Sequence, residues 1–486
     1  MSKDAIKGLR PADLWQRFYE LTQVPRPSKK EAKIQAAMMN FAKDNNIDAS
    51  KDKVGNIVMR FPATKGYEKS QTVILQGHLD MVCEKNKDKV HDFENDPIEL
   101  IREGDWITAN GTTLGADNGI GVAAALAVAM DKTAKHGPLE VLCTSDEETG
   151  MTGVKNLHKG FIKGKTLLNL DSEEDGAFYV GCSGGQDTVG TFNIEYAKPR
   201  RGYKPFKVVV GGLRGGHSGL DIANGRANAI KLLAQFLYKL EVPYQLAEIS
   251  GGSLRNAIPR EAEAVLYLKV GDDRKVRRAA NKFVKNTLLE FKTSDSGISI
   301  KINKLNEKFA KVFKNELSDI LIKTLVAMPH GVMAMSSDIP DLVETSTNLA
   351  TVKIEKNKIV IGTSQRSSIE SAKENITDRV VSVFELAGAK ALIGESYPGW
   401  KPNMGSNLLA ISKQVYKKLF KSEPEIKAIH AGLETGLLGS KFKGLDMISF
   451  GPTIMGAHSP DEKVSIPDVE KFYKLLKGIL AELAKN

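Results

Sequence analysis

Apolar and polar positions follow more than one rhythm along this chain of 486 residues. Leu14, Phe18 and Leu21 recur at helical spacing, which predicts a helix over 11–23. "VPRPSKKE" comes next, where Ser28 and Glu31 read as a capping box for a second helix running to about Asp44. "NIVMRF", "TVILQGHLD", "PLEVLCTSDEE" and "KTLLNLDSEE" begin as apolar runs with little alternation, and helical stretches separate them. Such runs predict strands of a sheet buried on both faces, an α/β arrangement. "TLGADNGIG" is a glycine-rich loop that leads into a helix of small side chains.

Near residue 186 the texture changes. "PFKVVVGGLRGGHSG", "REAEAVLYLKV" and "GISIKINKL" alternate more, with amphipathic helices between them. A related pattern returns in "TNLATVKIEKNKIVIGTSQRSS", two strands around Asn357-Lys358 followed by a helix. After "ESYPGWKPN" the first texture resumes, with "EIKAIHAGLE" and "LDMISFGP" as strands and a closing helix after Ile466. The pattern predicts a discontinuous α/β domain, 1–185 plus 396–486, interrupted by an α+β domain over 186–395.

Composition narrows the class. With 41% apolar and 26% charged residues the chain has the make-up of a soluble globular protein. Its longest apolar run, 119–130, is too short to cross a bilayer, so no membrane partner is expected. The N-terminus lacks a secretory h-region, and Cys83, Cys143 and Cys182 form no CxxC pair. Both features predict a cytoplasmic location. The net charge of +10 is spread as lysine along helical faces, without interleaved aromatics or a nucleic-acid-binding signature. A solvated surface is expected, and no nucleic-acid partner.

The chemistry lies at the predicted strand ends. His78 and Asp80 follow "TVILQG", and Asp117 sits in the glycine-rich loop. Glu147 and Glu148 follow "LEVLCTS", Asp171 ends "TLLNL", and His458 follows "DMISF". Ligands bind in open α/β sheets at the carboxyl ends of strands, so these residues can converge. Imidazole and carboxylate suit zinc, and a pair of ions about 3.5–4 Å apart needs a carboxylate that bridges them. Taken singly, each residue has an ordinary reading: a hydrogen-bonded histidine, a helix cap at Asp117, a solvated "DEE". His91, His136, His158 and His330 lack an acidic motif at a matching strand end and are read as structural. The acids' chemistry leaves open which of Glu147 and Glu148 binds metal and which moves a proton.

"GHLDMV", "GTTLGADNGIG", "TSDEETG", "NLDSEE" and "GPTIMGAHSPDE" resemble the metal-site motifs of the co-catalytic zinc peptidases, which include aminoacylases, glutamate carboxypeptidases and carnosinases. "VPRPSKKE", "VHDFENDPIE", "GGHSG", "GGSLRNAIPREA", "YPGWKPN" and "IHAGLETGL" narrow the resemblance to the bacterial aminoacyl-histidine (cytosolic non-specific) dipeptidases, essentially end to end. The resemblance implies two Zn²⁺ per chain, with Mn²⁺ or Co²⁺ as substitutes. Asp117 would bridge them, His78 and Asp171 would complete one, and Glu148 and His458 the other. Glu147 would be the general base and acid, with Asp80 orienting His78. The insertion would be a lid, with His217 reaching the substrate carbonyl and Asn256, Arg366, His430 and Gly432 binding substrate. Unblocked dipeptides are the implied substrates, Xaa-His and carnosine included, and a homodimer is compatible. The rival readings are a tripeptidase, an N-acyl amino acid deacylase or a carboxypeptidase of the same class. A non-catalytic peptide binder would be expected to lack a ligand or Glu147, and all are present.

Overall fold

The computed structural model describes residues 2–307 and 309–485. The chain divides into two compact units. The first comprises the residues up to Gly181, Pro402–Ala428 and the residues from Leu433. The second comprises Cys182–Lys401 together with Ile429–Gly432. The sequence pattern assigned that last tetrapeptide to the first unit. Its backbone explains the difference, because the amide of Ser183 donates to the carbonyls of both Ile429 and Ala431 at 3.0 Å.

In the first unit the strands lie in the spatial order Asp48–Lys51, Ile57–Phe61, Leu139–Thr144, Val73–His78, Thr166–Asn169, Asp446–Ser449, Ala177–Cys182 and Glu425–Ile429. The sheet is mixed, with parallel and antiparallel pairs. Val73–His78 runs parallel to both neighbours, with His78 opposite Thr144 and Gln76 opposite Asn169. These three strands are buried on both faces, which is why their sequences do not alternate. Being parallel, they release their carboxyl ends at one edge of the sheet.

Helices cover the sheet. Ala12–Thr22 buries Leu14, Trp15, Phe18 and Leu21, and full burial of an aromatic ring such as Phe18 contributes about 2–3 kcal/mol. The helix Ala116–Met130 is buried along most of its length. Its glycines permit close approach: a Cβ on Gly121 would stand 2.3 Å from the carbonyl oxygen of Leu170. Ala32–Asp44 is helical, but the expected capping box does not form. The Ser28 hydroxyl donates instead to Asp80 Oδ2 at 2.8 Å. Glu31 Oε1 accepts the amides of Lys29 and Asp146, at 3.1 and 2.9 Å. Ser28 thus serves a loop distant in sequence, and Glu31 joins its own turn at Lys29 to the distant Asp146 loop.

The second unit is built on a nine-stranded sheet that includes the hairpin Val343–Glu355 and Lys358–Ser367. The helices Ala229–Tyr238, Asp273–Phe291, Asn315–Ala327 and Glu370–Leu386 accompany it, around a core that includes Val208, Leu233, Leu266, Leu321 and Phe384. No helix among the described residues is long and apolar enough to cross a membrane.

Candidate metal centre

The carboxyl ends of the central strands bring His78, Glu147, Glu148 and Asp171 together, and the helix start at Asp117 and the hairpin loop at His458 join them. Asp117 stands at the middle. Its Oδ1 lies 2.9 Å from His78 Nε2, and its Oδ2 lies 3.1 Å from His458 Nε2. His78 Nε2 also faces Asp171 Oδ1 at 3.4 Å, and His458 Nε2 faces Glu148 Oε2 at 2.9 Å. Among the described residues four groups could hold an ion, His78–Asp117–Asp171, Asp117–Glu148–His458, His78–Glu147–Glu148 and Glu31–Asp80–Asp146, with ligand atoms within 4.8 Å of one another in each, and the first two share Asp117.

The donor set fits a pair of metal ions. Asp171 Oδ1 and Glu148 Oε1 are buried without a hydrogen-bond partner, a costly condition for carboxylate oxygens unless a cation faces them. Imidazole nitrogen and carboxylate oxygen are the donors Zn²⁺ accepts. The titration behaviour agrees. Burial pushes Asp171 up to about 7, and the charges of Asp117 and Glu148 add to the shift against the pull of His78. Hydrogen bonds to Asp117 and then Glu148 raise His458 to about 11. Three acids and two imidazoles at such distances crowd negative charge into one place, and cations relieve it.

The loop around Glu147 shows how adjacent acids are presented separately. Asp146 takes a left-handed backbone, φ 52° and ψ 49°, and Met151 does the same at φ 52°. Between them Glu147–Gly150 makes a single helical turn. The turn of the chain therefore lies at Asp146 and Met151. A non-glycine residue in this region costs on the order of 1–3 kcal/mol. Asp146 offsets it with its carboxylate, which accepts the hydroxyls of Thr149 and Thr152, while its amide goes to Glu31. Burial drives the pKa of Glu147 well above the ordinary carboxylate range, with Asp171, Glu434 and Glu148 adding to it and His78 opposing.

Asp80 is close to the His78 ring, and its carboxylate also holds the turn that carries Glu147. His78 Nδ1 lies 3.1 Å from the backbone carbonyl of Asp80 and 3.4 Å from its carboxylate. The carboxylate accepts the amide of Glu147 at 3.0 Å, the amide of Glu148 at 3.2 Å and the Ser28 hydroxyl. Burial opposes its ionisation, yet His78, the Glu147 amide and Ser28 prevail and bring it down to about 2.

Three charged residues of the site were not singled out from the sequence. Glu462, 2% exposed, accepts the amides of Leu114 (2.7 Å), Gly115 (2.9 Å), Ala116 (2.7 Å) and Asp117 (3.2 Å), and so shapes the loop that carries Asp117. Arg26 is buried and donates to the carbonyls of Leu79, Asp80 and Gly115, tying that loop to the one after His78. Glu434 lies at the start of the helix Glu434–Lys441 and accepts from Gln76 and Thr144. A charged residue inside an apolar stretch, as in "AGLETGLL", or between two prolines, as in "VPRPS", was the available signal.

The remaining predicted residues belong to the second unit. His217 Nδ1 accepts the amides of Gly219 and Leu220 at 3.2 and 3.1 Å, so the neutral ring carries its proton on Nε2. Burial, and then Arg366, lower its pKa and favour that neutral form. Arg366 donates to the Tyr397 hydroxyl at 2.9 Å, and its Nε is buried without a partner. His430 Nε2 lies 2.7 Å from the Ser346 hydroxyl, and burial with Arg366 nearby lowers its pKa to about 3. Gly432 lies against the Tyr397 ring, where a Cβ would approach to 2.9 Å. The Asn256 carbonyl accepts the Ser218 amide at 2.8 Å, while the residue itself is exposed. Burial holds Cys83 at about 11 and Cys143 at about 12, as unreactive thiols, and no cysteine joins a candidate ion group among the described residues.

Two ligand triads that share a carboxylate are the donor set of hydrolases that activate water with two metal ions. The chain belongs to peptidase family M20/M25/M40, whose family model matches residues 74–482. It is a hydrolase of this metal-dependent class. It is 40% identical to the cytosol non-specific dipeptidase of Escherichia coli (strain K12) over 484 residues, covering 98% of this chain and 99% of that one. The crystal structure of aminoacylhistidine dipeptidase from Vibrio alginolyticus superposes with a TM-score of 0.91 at 42% identity, covering 99% of both chains. Aminopeptidase PepT from Bacillus cereus shares the fold at a TM-score of 0.56 and 17% identity, over 98% of this chain and 99% of that one.

Proposed function

We propose that this protein is a cytoplasmic di-zinc dipeptidase that cleaves unblocked dipeptides, Xaa-His among them. The observation that carries the reading is Asp117, whose two oxygens face the two histidines at 2.9 and 3.1 Å. The near full-length similarity to two dipeptidases supports the substrate class.

His78, Asp117 and Asp171 would hold one ion, and Asp117, Glu148 and His458 the other. When bound, the pair supplies Lewis acidity and a water of lowered pKa. Glu147 takes the proton of the attacking water as the new C–O bond forms at the peptide carbonyl. As the C–N bond breaks, Glu147 returns that proton to the leaving amine, so one carboxylate is base and then acid. Asp80 fixes the turn that carries Glu147 through two amide hydrogen bonds. We assign substrate binding to the second unit, where Nε2–H of His217 is a donor suited to a developing oxyanion. Arg366 offers a planar fork suited to a terminal carboxylate, with Asn256, His430 and Gly432 in supporting roles.

The test is an assay on Ala-His, β-Ala-His, Gly-Gly, a tripeptide and an N-acetyl amino acid, before and after chelation and return of Zn²⁺. Hydrolysis of the free dipeptides, lost on chelation and restored by zinc, is expected. Activity confined to the blocked substrate or the tripeptide, or indifferent to chelation, would overturn the reading.

A further inference from the structure

Beneath the candidate ligands, a chain of hydrogen bonds crosses all three central strands. Asn169 Nδ2 donates to Gln76 Oε1 at 2.6 Å, and Gln76 Nε2 donates to Glu434 Oε2 at 2.7 Å. The Thr144 hydroxyl donates to the same Glu434 oxygen at 2.6 Å. None of the four residues is more than 1% exposed.

Their places in the sequence give the chain its meaning. Gln76 precedes His78 by two residues, Asn169 precedes Asp171 by two, and Thr144 precedes Glu147 by three. Side chains two apart on a strand point to the same face, so Gln76 lies one pleat, roughly 6.7 Å, below His78 on that face. The belt thus spans the strands immediately before they release the histidine, the glutamate pair and the aspartate. Three of its members belong to the strands themselves. Glu434 alone comes from elsewhere, the start of a helix, where the helix dipole favours a negative group.

Glu434 is an expensive residue to bury. Its second oxygen, Oε1, is shut away from solvent without a hydrogen-bond partner. An apolar side chain of similar size would fill the space without burying a carboxylate, but it would take this acceptor from Gln76 and Thr144. What the carboxylate provides is one atom that accepts from two neighbouring strands at once, a junction that no apolar residue can make.

We propose that Glu434 is a positioning residue. By gripping Gln76 and Thr144 below the cluster, it sets the spacing at which strands Val73–His78 and Leu139–Thr144 present His78, Glu147 and Glu148. The proposal rests on the reading of those residues as ligands and base.

The test compares Glu434→Ala and Glu434→Gln with the wild-type holoenzyme, by Zn²⁺ affinity in competition with a chromophoric chelator and by kcat and KM on Ala-His. Glu434→Ala is expected to lose about 10–100-fold in zinc affinity and in kcat, with KM within about threefold. Glu434→Gln keeps a carbonyl oxygen for both donors and is expected to recover most of both losses. A general loss of folded protein would lower the active fraction without moving zinc affinity per folded chain, and glutamine would not rescue it selectively. Wild-type affinity and kcat in Glu434→Ala would overturn the proposal, as would a glutamine variant as impaired as the alanine one. Should the alanine variant not fold, Thr144→Val removes one of the two bonds and leaves the carboxylate. A several-fold loss of affinity and kcat is then expected, and none would refute the tether. Failure of the wild-type protein to bind two ions per chain would instead overturn the metal-centre reading.

Discussion

The carboxylate of Asp80 accepts the backbone amide of Glu147 at 3.0 Å, and its other oxygen accepts the amide of Glu148 at 3.2 Å. One acid thus holds the backbone of two others, which would otherwise repel it. Asp80→Ala leaves both amides without this acceptor and frees the Ser28 hydroxyl. Activity should fall about 10–100-fold while the protein remains folded. Steady-state kinetics beside a circular dichroism melt checks this, and an unchanged kcat would remove Asp80 from the positioning of Glu147.

Glu147→Gln keeps the shape of the side chain and removes its ability to take a proton. Zinc content per chain, read by elemental analysis, should stay at the wild-type value. Turnover should drop by roughly 10²–10⁴, the usual contribution of a general base. Loss of metal together with activity would move Glu147 into the ligand set and cast Glu148 as the base.

Glu462→Ala leaves four consecutive amides of the Asp117 loop without their acceptor. Hydrogen bonds to a buried carboxylate each contribute about 1.5–3 kcal/mol, so the variant should lose about 3 kcal/mol or more. Urea denaturation measures it, and a loss below about 1 kcal/mol would show that the loop keeps its shape by other means.

His330 gives the second unit a sensitivity to acid. Its Nδ1 faces the Asn228 side chain and the Leu349 amide, both at 3.4 Å, and burial followed by the charge of Lys231 lowers its pKa from 6.5 to about 4. Between these values the unfolded chain binds the proton and the folded chain does not. Stability from this group is therefore complete above pH 6.5 and is lost as pH falls toward 4. Urea midpoints across that window should decline, and His330→Gln should flatten the decline by up to about one proton. An unchanged slope in the variant would assign the acid sensitivity to other groups.

Much of the site was legible because its ligands are placed by strand ends. The runs "TVILQG", "LEVLCTS" and "TLLNL" announce where parallel strands finish, and a parallel sheet brings such ends together whatever lies between them in sequence. The residues that hold those ligands were harder to see. Ser28 and Glu31 matched a local motif, but their partners are Asp80, 52 residues away, and Asp146, 115 residues away. Local spacing carries no information about such a choice. The left-handed backbone at Asp146, supported by the hydroxyls of Thr149 and Thr152, carries no glycine to mark it in the sequence. Glu434 and Glu462 carry no periodic signal at all, because each acts once, through bonds to distant backbone or strands.

One hairpin loop carries both His458 and Glu462, between the strand Ile454–Met455 and the strand Lys463–Ser465. His458 faces the Asp117 side chain, while Glu462 grips the Asp117 backbone. The two candidate ligand groups that share Asp117 are thus joined through a single short loop. An ion held by His458 and Asp117 would also steady the Asp117 oxygen that faces His78. Uptake of the two ions is therefore expected to be cooperative, with the half-loaded protein scarce at equilibrium.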